Sequence, residues 1–406
     1  MHQLWRLCGS LPDEYDPLAE GKARSQEASC RQLTAVQWRK EEEGKGGALP
    51  SLLIGGMVVW RRNWWTIILV VSVLAVVGWY RLPRGVAAVD ETRLALDTFV
   101  QIKATGRNGR KAVDEAFAEI ERLEELLDRF QPTSQVSRLN EQAGLAWVEL
   151  DEDTRFLLEQ GQHYGRLSQG AFDVTVGVLA DLWGFGSDHN RVPSPAEIEA
   201  ALDVTGYPLL AIEGNRAFVE KGVKVDLGGI AKGYTVDKAA AKLRQRGVKH
   251  AIINAGGDVY AIGSRPDGKP WRVGVTNPRQ VEGMALAVYL QDQAIATSGD
   301  YQRFFIHEGE RYHHILDPRT GYPARGLASV SVIAPSAMEA DALATAVFVL
   351  GRGQGLALVD SLPGVEAVLI TDAGEILVSK GLEGKIDIFL SDGGADEGRS
   401  QVSSQD

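Results

Sequence analysis

The stretch "VDLGGIAKGYTVDKAAAKLRQRGVKHAIINAGGDVYAIG", residues 225–263, carries the choice of fold class. "VKVDL" (Val223–Leu227) reads as a strand, Ala231–Arg246 as a helix stopped by Gly247, and "HAIINAGGDVYAIG" (His250–Gly263) as a strand, a turn and a second strand. The pattern continues outward. "WRVGVTN", "MALAVYL" and "QAIATSG" supply further strands, Ala337–Leu350 is helical, and "VEAVLITDAGEILVS" (Val365–Ser379) is a hairpin turning at Asp372–Ala373–Gly374. Toward the N-terminus "RLALDTFVQIKA" (Arg93–Ala104) alternates like a strand. Val113, Phe117, Ile120, Leu123, Leu127 and Phe130 recur at helical spacing over Lys111–Phe130, which Pro132 ends. A helix is expected from about Asp151 to Leu167, and another within "AFDVTVGVLADLWGFG", inside a loop-rich layer. Runs of strands broken by single helices indicate an α+β domain with mostly antiparallel sheets, not a doubly wound one.

Composition narrows the class. The chain has 406 residues, 44% hydrophobic and 24% charged, enough for a large core and incompatible with wholesale disorder. A net charge of −11 argues against a nucleic-acid partner held by phosphate neutralisation. Cys8 and Cys30 are the two cysteines, so the body of the chain has no disulfide framework and no thiolate metal site.

"WRRNWWTIILVVSVLAVVGWY" (Trp60–Tyr80) is uncharged from Trp64 onward, about 25 Å of helix, with Trp and Tyr at both ends. It predicts a single transmembrane helix within a signal-anchor at 57–84. Met57 opens "MVVWRRNWW", so residues 1–56 are either an N-terminal extension or a mis-assigned start. A globular domain is expected over 90–390, and 391–406 is a polar, acidic tail expected to be disordered.

Three constellations can carry chemistry. Asp226, Gly228, Gly229 and Lys232 stand at a helix start, where free N–H groups and the positive dipole end seat phosphate oxygens. Lys232 opposes that dipole unless it meets an anion. Asp341 and Thr345 are four apart and share a helix face, offering hard oxygens that suit Mg²⁺. In "RYHHILDPRTGYPARG" (Arg311–Gly326), adjacent His313 and His314 point to opposite faces of a strand, so one at most serves as a base. Each feature singly also suits a structural role: a turn, a core-facing Thr, a surface His.

Together, "GAFDVTVG", "LWGFG", "VDLGGIAKGYTVDKAA", "INAGGDVYAIG", "ATSGDYQRFF", "HHILDPRTGYP" and "DALATA" occur in the order seen in the ApbE family, and the chain resembles that family over about Leu94–Lys385. These are FAD:protein FMN transferases, formerly called thiamine-biosynthesis lipoproteins. The resemblance implies a T-fold-like α+β domain, Mg²⁺ as cofactor, and FAD as substrate. FMN would pass by a phosphoester bond to a threonine of an acceptor protein, in a segment like Asp-(Ser/Thr)-Gly-Ala-(Ser/Thr)-Thr, and AMP would leave. It further implies FAD contacts at Leu96, Phe130, Ala171, Phe172, Asp173, Asp226, Lys232 and Ile315, with Gly257–Asp258 and Thr297–Ser298–Gly299 completing the cleft. Metal ligands fall on the Gly229 carbonyl, Asp341 and Thr345, and the catalytic base on His314.

Two departures stand out. Ala344 occupies a position where some members carry a second Asp, and no cysteine follows residue 30, so a lipid anchor of the kind many members have is absent. The expected location is the bacterial inner membrane, with the domain periplasmic. No stretch of this chain matches the acceptor segment, so a separate acceptor is expected. The rival readings are a Mg²⁺-dependent FAD pyrophosphatase and a non-catalytic flavin-binding protein.

Overall fold

The computed structural model describes residues 68–74, 88–185, 189–280, 283–383 and 386–389. The expected N-terminal extension and acidic tail lie outside the described residues, as does most of the expected membrane segment. Within that segment 68–74 is helical, and helix over those residues rises about 10 Å, so a membrane span is not shown. Among the described residues, the one helix long and apolar enough to cross a membrane is Ala337–Ser361, and it packs into the domain core.

The domain opens with a hairpin. Strand β1 (Ala88–Ala95) turns through Leu96 and Asp97 into β2 (Thr98–Thr105). Both turn residues have positive φ, 54° and 55°, the left-handed pair that lets a two-residue turn follow the strand twist. The alternating stretch is therefore two strands rather than one, and Leu-Asp lacks the Gly or Asn that usually marks such a turn. Helix α1 (Gly109–Leu127) buries Val113, Phe117, Ile120, Leu123 and Leu127. It stops three residues earlier than its spacing predicts. Asp128 is extended and accepts from the Phe130 N–H, so Phe130 stands outside the helix, 62% exposed.

Next come α2 (Gln135–Glu141), β3 (Val148–Glu149), α3 (Glu152–Leu167, capped by Asp151), α4 (Gly177–Trp183), α5 (Pro195–Leu202), β4 (Leu210–Glu213) and β5 (Arg216–Val219). The expected strand "VKVDL" makes a single parallel bridge, Lys224 to Val176. Its would-be partner turns away at once into α4, so no ladder can grow. Helix α6 (Ala231–Gln245) leads to the hairpin β6 (His250–Ala255) and β7 (Asp258–Ile262). Strands β8 (Trp271–Thr276), β9 (Met284–Leu290), β10 (Gln293–Gly299), β11 (Phe304–His307), β12 (Glu310–His313) and β13 (Leu327–Ala334) follow. Helix α7 (Ala337–Ser361) is two helical segments across a kink at Gly351 (φ 73°), the first of which ends at Leu350 as expected. Strands β14 (Glu366–Thr371), β15 (Ile376–Val378) and β16 (Asp387–Ile388) close the domain.

The main sheet runs β1-β2-β6-β7-β10-β13-β14-β15, antiparallel at every pairing. Helices α1, α6 and α7 bury their apolar faces on one side of it. On the other side the small sheet β16-β9-β8 covers β7, β10, β13 and β14, with Val275, Leu286 and Val288 against Val259, Ile295 and Ile333. Covered on both faces, β7 and β13 are buried at every residue.

Helices α6 and α7 are joined at their starts. Asp341 of α7 accepts from the Gly233 N–H of α6 at 3.0 Å, while Asp237 of α6 accepts from the Ala337 and Met338 N–H groups of α7 at 2.8 and 2.9 Å. Each helix thus satisfies donors that the other's first turn leaves free. Gly233 permits the approach, since a Cβ there would stand 2.2 Å from the Ala337 carbonyl oxygen. The two positive helix ends lie side by side.

Candidate active site

Those two helix starts open onto a cleft of about 480 Å³. It is lined by the β1–β2 turn, the chain after α1, the loop before α4, the Gly228–Gly229 turn, the end of β10, the chain after β12, and the first turns of α6 and α7. The residues proposed above for the site line it except Gly257, Gly299 and Asp258, the last buried behind Lys232.

The glycine turn is held by charge. Asp226 accepts from the Gly228 N–H at 2.8 Å and from Arg129 at 2.9 Å. Arg129 also pairs with Asp181 and reaches the Gly177 carbonyl at 3.3 Å, and its guanidinium lies 4.7 Å from the Phe130 ring centroid. Gly229 has no room for a side chain: a Cβ would meet Phe172 at 3.1 Å and the Thr345 Oγ1 at 3.4 Å. Asp173 lines the cleft, yet its carboxylate accepts from the Thr175 N–H and Oγ1–H and the Tyr207 N–H, at 2.8, 2.6 and 2.6 Å. It shapes the loop that carries Phe172 rather than facing a ligand with free oxygens. Burial pushes its pKa up.

Behind the turn lies a buried charge cluster. The Lys232 Nζ is 3.1 Å from Asp258. Burial pulls the ammonium down, but Asp258 and Asp341 outweigh it and the net shift is upward. Burial also raises Asp258, against the pull of Lys232. Asp341, desolvated and beside Asp258, is pushed up to about 8. Two buried carboxyls thus share one ammonium, and desolvation with their mutual repulsion raises the proton affinity of both. Both Asp258 oxygens are buried without a hydrogen-bond partner despite the nearby ammonium. The Thr345 and Ser298 hydroxyls stand alongside, 3.3 Å apart.

This donor set fits a hard divalent cation. It holds an excess carboxylate, unsatisfied oxygens and two hydroxyls. Among the described residues no group of three or more His, Cys, Asp or Glu is placed to hold a metal, so remaining ligands have to come from backbone, water or substrate oxygens.

The two histidines separate as adjacent strand positions require. His313 is buried, its Nε2 2.8 Å from the Ala324 carbonyl and its ring edge-on to Phe348; it is structural. His314 lines the cleft, with Nδ1 3.2 Å from the Arg303 carbonyl. A carbonyl only accepts, so Nδ1 carries the hydrogen and Nε2 keeps its lone pair. Burial, with Arg303, His313 and Lys232 adding to it, lowers the pKa to about 4, so the ring is neutral at pH 7. Ile315 beside it is buried, and Leu96 is held by its N–H to Glu124 at 2.8 Å.

Sequence reasoning missed Arg129, Asp181 and Arg303. Arg129 follows the end of α1 with no periodic signal, and its partner Asp226 lies 97 residues on.

Fold and site define a three-layer α+β domain, helices, main sheet and small sheet, with a phosphate-compatible, cation-compatible cleft. The model of the ApbE family matches residues 96–369, and the chain belongs to that family. The FAD:protein FMN transferase of Treponema pallidum is 31% identical over 348 residues, covering 80% of this chain and 96% of the relative. That of Vibrio cholerae is 34% identical over 310 residues, covering 74% and 91%. Among solved structures, the ApbE protein of Thermotoga maritima superposes with a TM-score of 0.70 at 39% identity, covering 74% of this chain and 99% of that one. The flavin transferase ApbE of Vibrio cholerae does so with a TM-score of 0.66 at 31% identity, covering 73% and 98%.

Proposed function

We propose that this chain is a transferase that moves FMN from FAD to a threonine hydroxyl of a separate acceptor protein, with AMP as leaving group. One observation carries the reading. The neutral His314, the Lys232 ammonium and the buried Asp258–Asp341–Thr345 cluster converge on one cleft at two helix starts.

Phe130, exposed at the cleft and backed by Arg129, offers a ring face to an aromatic group of FAD, and Phe172 and Ile315 an apolar wall. The diphosphate lies on the Gly228–Gly229 turn at the α6 N-terminus, where Lys232 offsets its charge. Asp341, Thr345 and the Gly229 carbonyl would hold Mg²⁺, with Asp258 and Ser298 next to them; the bound ion supplies charge neutralisation on the transferring phosphoryl group. His314 Nε2 takes the proton of the acceptor hydroxyl as its oxygen attacks the FMN phosphorus and the bond to the AMP oxygen breaks. A diphosphate in the cleft offsets the cations that depress the imidazole, strengthening it as a base when substrate is present. The apolar run Trp64–Tyr80 would hold the chain in the bacterial inner membrane, with the domain periplasmic; a reporter fused after Arg84 that scores as cytoplasmic overturns this placement.

The test is mass spectrometry of an acceptor peptide incubated with the protein, FAD and Mg²⁺. The expected product is a peptide one FMN phosphoester heavier. AMP released at the same rate without acceptor identifies a pyrophosphatase instead. His314→Ala should keep FAD affinity and slow transfer by about 10²- to 10⁴-fold.

A further inference from the structure

The small sheet covers half of the main sheet and stops. Strand β8 is bonded to β9 on one side, and among the described residues its other edge meets no strand. Beyond that edge the outer face of β2 and β6 lies open and floors a groove of about 860 Å³. Phe99 and Lys103 of β2 and Ile252 of β6 stand on this face, alternating with Val100, Ile102 and Ile253, which enter the core. Phe99 is 71% exposed. Trp271, at the start of β8, lines the groove with its indole N–H buried and unpartnered.

The groove runs into the catalytic cleft, because Thr98, Gly256, Thr297 and Gln302 line both. The lip is low: Gly257 has φ 106°, and a Cβ there would meet nothing within 4 Å. Arg279, just past β8, grips Asp300, just past β10, with hydrogen bonds of 2.8 and 2.9 Å. That pair places the Thr276 end of β8 at the cleft end of the groove. The charged residues lining the groove are Lys103, Arg265 and Arg272, with no carboxylate among them; at the rim Lys103 pairs with Asp90 at 3.2 Å and Arg265 with Asp267 at 3.1 Å, on a chain whose net charge is −11.

We propose that the acceptor protein docks here as an extended, acidic segment that adds a strand to the free edge of β8 and carries its hydroxyl over the Gly256–Gly257 lip to His314. This rests on the transferase reading above. An extended chain is the partner that supplies N–H and C=O groups to an open edge. Its alternate side chains fall on Phe99 and Ile252, the others on solvent. The groove's cations select negative charge and repel the chain's own acidic surface.

The test uses the full chain with FAD and Mg²⁺. The probe is a fifteen-residue peptide with Asp-Ser-Gly-Ala-Thr-Thr at its centre; hydrogen exchange and FMN transfer are read together. Adding peptide should slow exchange about tenfold at the alternate 271–276 amides that point away from β9. The double variant Phe99→Ala/Lys103→Glu, at two exposed positions, should raise the half-saturating peptide concentration about tenfold with FAD affinity unchanged. Wild-type transfer kinetics in that variant, with β8 exchange unslowed, overturn the docking proposal and leave the transferase reading intact. Slowed exchange without FMN transfer keeps the groove as a peptide site and sinks the transferase reading. No slowing and no transfer removes both. Amides of β8 already protected without peptide, in a protein that sediments as a dimer, put a second copy on the edge and overturn the proposal.

Discussion

Replacing Gly233 with alanine sets two physical effects against each other. Helix propensity alone favours the change, since alanine in a helix interior is better than glycine by about 1 kcal/mol. The packing opposes it. The added Cβ would stand 2.2 Å from the Ala337 carbonyl oxygen and 2.8 Å from the Asp341 Cβ, and ordinary contact begins near 3.4 Å. Helix α7 must retreat by roughly 1 Å, an overpacking cost of about 1–3 kcal/mol. The retreat also stretches the 3.0 Å bond from the Gly233 N–H to Asp341, worth about 0.5–1.5 kcal/mol. The net expectation is a loss of about 1–3 kcal/mol, a fall in Tm of roughly 2–5 °C for a domain of this size. Circular dichroism melts of the two proteins, with FAD affinity measured in parallel, decide it. A Tm equal to or above wild type would refute the reciprocal capping of α6 and α7 as the element that positions the cleft.

Three further outcomes follow from the site. With the His314 pKa lowered to about 4, the neutral base is fully present above that value and lost as pH falls through it, so kcat/KM for transfer should stay flat from pH 7 to pH 5. An imidazole at the ordinary value of about 6.5 would lose roughly thirtyfold over that interval, and a loss of that size in a stopped assay excludes the assignment. Arg129→Ala removes the cation that holds Asp226 beside the glycine turn; FAD affinity by titration calorimetry should weaken about tenfold, and an unchanged affinity shows the turn stands without it. Chelation should stop transfer and added Mg²⁺ restore it, and Thr345→Val should raise the half-saturating Mg²⁺ concentration; a curve identical to wild type removes Thr345 from the ligand set.

Much of this was legible from residue patterns. The amphipathic spacing of α1, the helices at 152–167 and 231–245, and the strand pairs around Gly256 and 372–374 carry strong local signals, and the family motifs brought distant segments to one site. The misses share a cause: a tertiary partner decided the outcome. A Leu-Asp pair at the first hairpin turn has no turn chemistry of its own, so the sequence reads as one strand. Val223–Leu227 has strand composition but faces a chain that leaves after one bridge. The carboxylate of Asp173 looked available and is satisfied by the Tyr207 N–H and by the N–H and hydroxyl of Thr175. Arg129 became visible only once Asp226 lay next to it.

The cleft draws on the chain from Leu96 in the first hairpin to Thr345 in α7. Contacts between pieces so far apart along the polypeptide form late because long loops must close first. Flavin affinity is therefore a reporter of completed folding. A nascent or truncated form ending before α7 lacks the Asp341–Thr345 wall of the pocket.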